Sequence, residues 1–429
     1  MDLVMYTLRS VAYVIVEPSL MIILLVLGIL FYLKNRKLVL MQKMIIGESI
    51  NSPLELTLSQ IVLGIFAGIL ASLMLNYLGV IFSENSGIEF LFMISMLLMF
   101  IRPRLVCFSY SGAILGIVSI IFAYFNIKTS NGNLLFSLDI TMLMTFVGIV
   151  HIVEAILVMI DGSRGSIPVF SNRKGNIIGG YALSRYWVLP IAIFIAYSVA
   201  SQGSGVGTES IATPDWWPVL KHDNTMAMLS SMILSLFPLF GVLGYSSLTF
   251  TMKKKEKALS SGIFIFIYGI LLTLVAQLAQ VGLIGEIIVI IFAPLAHEGM
   301  LLIQRKIEEK RSPLFASGED GLAILEVVPY SKAYEIGLRP GDKIVSVNDK
   351  LINTEEDIYI IVKESLNNIN MKIKDRKGSI KEVSLKQDNN KRLGVVLVPR
   401  VVDIEKVVSF ENENFSEVLK DVKHNNENK

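Results

Sequence analysis

GLAILEVVPYSKAYEIGLRPGDKIVSV, residues 321–347, reads as a small soluble fold inside a chain that is otherwise dominated by membrane-type sequence. Its apolar residues come in short blocks bounded by turn chemistry, which predicts strands over 321–328 and 344–347. Ser331 is placed to cap a single helical turn that stops at Gly337, the residue type that tolerates a left-handed conformation. Leu338-Arg339-Pro340-Gly341-Asp342 then makes a tight turn, and Asn348-Asp349 a hairpin. Further on, Thr354-Glu355-Glu356-Asp357 opens a helix that runs to about Ser365, with Ile358, Ile361 and Val362 on one face. Strands over 371–375, 380–385 and 393–398 complete a compact α+β module.

These motifs resemble a bacterial PDZ domain. Gly321, Val327, Ser331, Ala333, Gly337, Leu338, Gly341, Asp342, Ile344, Val347 and Asn348 fit that pattern, while Lys332, Ile336 and Asp349 depart from it at helix entry, packing and hairpin. The resemblance implies capture of peptides by strand addition. The groove would lie between the Leu393-Gly394-Val395-Val396 strand and the helix bearing Ile358, Ile361 and Val362, with backbone N–H groups near Leu393 and Gly394 taking a terminal carboxylate.

Upstream, the composition changes class. The chain is 53% hydrophobic with a mean hydropathy of +0.59, which suits a polytopic membrane protein. A net charge of +2 carries no message about nucleic acid, and one cysteine, Cys107, excludes an intrachain disulfide. Apolar runs lie at 11–33, 58–82, 88–101, 105–125, 138–160, 186–200, 226–251, 261–281 and 284–303. A crossing helix needs about 20 apolar residues, so the third and sixth runs are short. Basic residues nevertheless gather in alternate loops, for example Lys34, Arg36 and Lys37, then Arg102 and Arg104, then Lys253, Lys254 and Lys255. The other side has Arg9, Lys128 and Lys221. That alternation predicts about nine helical spans, or seven if one hairpin pair is lost, with the N-terminus outside and the C-terminus in the cytoplasm. The expected domains are a polytopic region over 1–311, a linker over 312–320, the PDZ domain over 321–400 and a polar, disordered tail over 401–429.

Inside the spans, Gly64 and Gly68 have the spacing that lets two helices approach closely. Trp216 and Trp217 mark a headgroup level. His151 and Glu154 share one face of the fifth run, and His297 and Glu298 lie at a matching depth in the ninth. Four such groups in lipid read first as a polar cluster tying helices together, with metal ligation by the same four as the alternative. A metalloprotease would need His-Glu-x-x-His, and Leu301 stands where the second histidine belongs. Met159-Ile160-Asp161-Gly162 has a faint likeness to the Leu-Asp-Gly of intramembrane metalloproteases, but it precedes the His-Glu pair.

A many-span region followed by one cytoplasmic PDZ domain resembles the MinJ-type division-site topological determinants of low-GC Gram-positive bacteria. That resemblance implies a membrane adaptor without catalytic residues or cofactors, acting at septa and poles. Its partners would be a DivIVA-like pole marker, a MinD-like ATPase and divisome membrane proteins, with no nucleic acid. The competing reading is an intramembrane metalloprotease-like enzyme or regulator with a degenerate His/Glu site.

Overall fold

Proline and capping chemistry set the helix boundaries in the membrane half. In the computed structural model the first apolar run is broken at Pro18 into α1 (Leu3–Val16) and α2 (Pro18–Ile46). Glu17 is extended, and its carboxylate accepts from the Leu20 N–H at 2.8 Å, so it caps a helix that begins on proline. Ser52 and Glu55 form a capping box at the start of α3 (Pro53–Leu78). After β1 (Ile81–Ser83) come α4 (Glu89–Ile101), α5 (Phe108–Tyr124) and α6 (Ile140–Asp161). Beyond the β-hairpin described below lie α7 (Lys254–Val275), prolonged by a 3-10 turn, and α8 (Leu283–Lys310). The structure describes residues 2–400 except 48, 102–106, 129–135, 137, 174, 199–210, 222–225, 227–228, 230–231, 353, 365–367 and 386–392. The expected tail over 401–429 lies outside the described residues.

Among the described residues, five helices are long and apolar enough to cross a membrane: α2, α3, α6, α7 with its extension, and α8. Nine helical spans are not found among the described residues. The sixth and seventh apolar runs, expected as helices, are β3 (Asn176–Ser198) and β4 (Met232–Thr249), paired antiparallel from Tyr181↔Thr249 to Ser198↔Met232. Composition explains the choice. Pro190 and Pro238 would each cost a helix interior about 3 kcal/mol, and the flanking residues are largely β-branched or aromatic.

A strand buried in an apolar core must have its backbone groups satisfied by protein. Along one edge β3 pairs with β4. On the other it meets β2 (Ile167–Arg173) and, in parallel, β1 at Phe194 to Ala196. Helix α3 covers the gap between them. A Cβ at Gly64 would overlap the Val188 carbonyl, and one at Gly68 the Pro190 carbonyl. Ser72 Oγ accepts the Ala192 N–H at 3.0 Å, and Pro190 brings no N–H to satisfy. The two glycines therefore admit a strand backbone, where a second helix was expected. Below this contact, Arg185 Nη2 meets Asp161 Oδ2 at 2.5 Å and Ser59 Oγ at 2.7 Å, and Trp187 Nε1 donates to Asp161 at 3.0 Å. This buried pair ties β3 to α3 and α6.

The C-terminal module has β6 (Leu322–Val327), a short α9 (Lys332–Glu335), β7 (Lys343–Val347), β8 (Lys350–Leu351) and α10 (Glu355–Glu364). They are followed by β9 (Ile369–Lys374), β10 (Ile380–Leu385) and β11 (Val395–Leu397). The sheet order is β10-β9-β7-β6-β11, all antiparallel. Every residue of β6 is buried. Leu322, Ile324 and Val327 enter the module's own core with Ile344, Met371 and Leu397. Ala323 and Leu325, joined by Val328, Val396 and Val398, belong to the core shared with the membrane half. Strand β6 is thus sandwiched between two cores, which accounts for a sequence that is apolar except at Glu326. Within the expected linker, β5 (Phe315–Ala316) pairs with Ile178 and Gly179 of β3. Tyr181 hydroxyl donates to the Leu325 carbonyl at 2.5 Å, and Lys254 Nζ meets Glu326 at 2.7 Å.

Candidate functional sites

The first site is the groove of the C-terminal module, and its geometry rests on left-handed residues. Gly321 has φ 129°, with its missing Cβ facing the Ile344 carbonyl. Ser331 caps α9 by accepting the Tyr334 N–H at 3.3 Å, Gly337 (φ 86°) ends it, and Leu338 is buried. Gly341 (φ 96°) donates to the Ile324 carbonyl at 2.7 Å, and the Asp342 carboxylate accepts the Arg339 N–H at 2.9 Å. Burial raises the Asp342 carboxyl above its ordinary value. Asn348 (φ 47°) accepts the Asn370 N–H at 2.9 Å, and Asp349 (φ 62°) occupies the left-handed place that the family pattern gives to glycine. Aspartate tolerates that conformation better than most side chains, so the departure keeps the hairpin.

Strand β11 pairs with β6 on one edge and has no strand partner on the other among the described residues; it also touches α2. Gly394 (φ 78°) starts it, packs against Ser331 and accepts the Val328 N–H at 2.9 Å. Leu393, Val395 and Ile361 lie half-buried over the module's core, with Ile358 inside it. Val396 faces the opposite way, into the core shared with the membrane half. The Val362 side chain lies outside the described residues.

A second site sits within the helices. The rings of His151 and His297 have centroids 5.9 Å apart. Glu154 Oε2 is 3.9 Å from His151 Nε2, whereas Glu298 is turned onto the Tyr110 hydroxyl. Asp161 is far from this cluster in role, being held by Arg185 and Trp187. Sequence reasoning missed Cys107, Ser109, Tyr110 and Tyr268. Cys107 Sγ lies 3.0 Å from His151 Nε2, and Tyr268 bridges Ser109 Oγ (2.6 Å) and the Ala293 carbonyl (2.8 Å) with its ring edge-on to both histidines. Cys107 can be there because α5 begins level with His151, ten residues or about 15 Å above the end of α6. A single cysteine beside the short apolar run over 88–101 was the available signal.

A family model for the PDZ domain matches residues 324–369, so the C-terminal module carries a PDZ domain. The chain is 24% identical over 83 residues to probable cell division topological determinants MinJ of Lacticaseibacillus paracasei and Lacticaseibacillus casei (strain BD-II), which covers 19% of this chain and 23% of each relative. It is also 34% identical over 103 residues to a putative zinc metalloprotease of Borreliella burgdorferi, covering 23% of this chain and 24% of that protein. Each match thus spans about a quarter of the relative's length.

Proposed function

We propose that this protein is a non-enzymatic membrane adaptor that recruits cell-division site-selection proteins through its PDZ groove. The observation that carries the reading is β11, a strand with one edge free of strand partners among the described residues, packed on the same apolar core as the helix bearing Ile358 and Ile361, in a chain similar over 83 residues to MinJ-type proteins. Such an edge captures an extended peptide by main-chain hydrogen bonding, and the side chains next to it set preference. On this reading the PDZ domain works on the cytoplasmic face. Its ligands are a DivIVA-like pole marker, a MinD-like ATPase or the cytoplasmic ends of divisome membrane proteins, and the helices hold it at septa and poles.

The test is a full-length fluorescent fusion combined with affinity capture. Wild type gathers at septa and co-purifies division proteins, and Ile361→Glu keeps membrane insertion while losing capture. Uniform membrane distribution that is indifferent to loss of the pole marker overturns the adaptor reading. The enzyme reading draws on the Borreliella relative and on the Cys/His cluster. It lacks a His-Glu-x-x-His helix, and the carboxylate beside His297 is engaged by Tyr110.

A further inference from the structure

Three ligating side chains from separate helical elements converge inside the bundle. Cys107 caps α5, His151 stands in the middle of α6 and His297 in the middle of α8, and one donor atom from each lies within 4.8 Å of the others. We propose that Cys107, His151 and His297 form a metal centre for a thiophilic d10 cation, Zn2+, with Glu154 at the fourth position.

The hydrogen bonds around the cluster assign which nitrogens face inward. His151 Nδ1 lies 2.7 Å from the Val147 carbonyl, an acceptor, so Nδ1 carries the proton and the Nε2 lone pair is directed at Cys107. The Tyr110 hydroxyl donates to Glu298 and sits 3.3 Å from His297 Nδ1, so its oxygen accepts from that nitrogen and leaves Nε2 as the donor atom. Each imidazole thus has an outer partner fixing its tautomer and ring plane, as ligating histidines do in metal centres. At the sulfur, the Ser109 N–H is directed toward Sγ from 3.4 Å, and the Ser109 hydroxyl is 3.3 Å away.

Ligand chemistry selects the ion. One sulfur and two imidazoles suit zinc and disfavour magnesium or calcium, which take oxygen ligands. Glu154, 3.9 Å from His151 Nε2, is the near carboxylate, whereas Glu298 belongs to the outer layer. Energetics point the same way. A thiol, two imidazoles and a carboxylate inside a lipid-embedded bundle are costly unless something satisfies them together. A cation shared by all four does so and fastens the start of α5 to two crossing helices. The rival for the same 3.0 Å contact is a bare Cys–His pair, a reactive thiol without metal.

The experiment uses the full-length chain in detergent, with any affinity tag removed and no chelator during purification. The expected result is about one zinc per chain, and cobalt loading that produces a thiolate charge-transfer band. Cys107→Ser abolishes the band, and His297→Ala empties the site. Tyr110→Phe, which keeps the ring and removes the hydroxyl shared by His297 and Glu298, weakens zinc affinity by roughly 10–100-fold. Glu154→Gln weakens binding, while Glu298→Gln leaves the stoichiometry at one. Maleimide labels Cys107 only after a chelator is added. Two outcomes overturn the proposal: wild-type protein that holds far less than one metal and gives no band with cobalt, or a labelling rate that is indifferent to the chelator. The second assigns Cys107 and His151 to the bare pair.

Discussion

Helix α6 and strand β3 lie in the same core, yet they depend on their neighbours to different degrees. Helix α6 satisfies its backbone within itself, so its neighbours only need to fill space. Strand β3 takes its hydrogen bonds from β4, β2 and β1, and at Ala192 from a side chain of α3. A buried strand therefore passes its tolerance of change to the elements that cover it.

Substitution on α3 provides the severest test of that contrast. Gly68→Leu drives a side chain into the Pro190 carbonyl and is expected to cost more than about 4 kcal/mol, so folded monomer fails to accumulate by size-exclusion chromatography. Gly299→Ala on α8 has open space and is expected to stabilise by roughly 0.5–1 kcal/mol in thermal melts. Equal outcomes would break the comparison. Next in size is Asp161→Asn, which leaves Arg185 buried without its counter-charge and is expected to cost about 3–5 kcal/mol. A smaller effect belongs to the PDZ side. Gly394→Ala places a Cβ in a left-handed conformation against Ser331, costing about 1–2 kcal/mol and weakening peptide capture, while hydrogen exchange in the bundle stays unchanged.

The smallest is electrostatic. Hydrogen bonding from Lys343, aided by Lys374, holds the Asp320 carboxyl below its ordinary value. Because the folded value is depressed, its contribution is complete above the unfolded pKa of about 3.9 and is lost as pH falls through the lower folded value. Asp320 is 41% exposed, so Asp320→Asn is expected to cost under about 1 kcal/mol at neutral pH and to flatten the acid limb of a PDZ-domain melt.

The PDZ domain was readable because its signals are local: Ser331 caps the helix that Gly337 ends, and Gly341 and Asp342 shape their own turn. The hairpin was not, since an uninterrupted apolar run suits a buried strand as well as a helix. Pro190 and Pro238 were the legible warnings. Charge alternation could not help, because replacing two helices by two strands preserves parity. Half of the helical cluster was visible through depth counting, which paired His151 with His297. Cys107 escaped because nothing in the sequence says that α5 starts halfway down α6.

Strand β6, buried on both faces, gives the PDZ domain a fixed mount. A receptor on a flexible tether samples many orientations and must surrender that freedom on binding. Here the rotational entropy is already lost when the chain folds, because Leu325, Val396 and Val398 join the hairpin's core. On the adaptor reading proposed above, a ligand anchored in the same bilayer would meet a groove of constant height and heading, so its search would be confined to two dimensions. A freely diffusing peptide gains nothing from that alignment, which favours membrane-bound ligands over soluble ones of equal groove affinity.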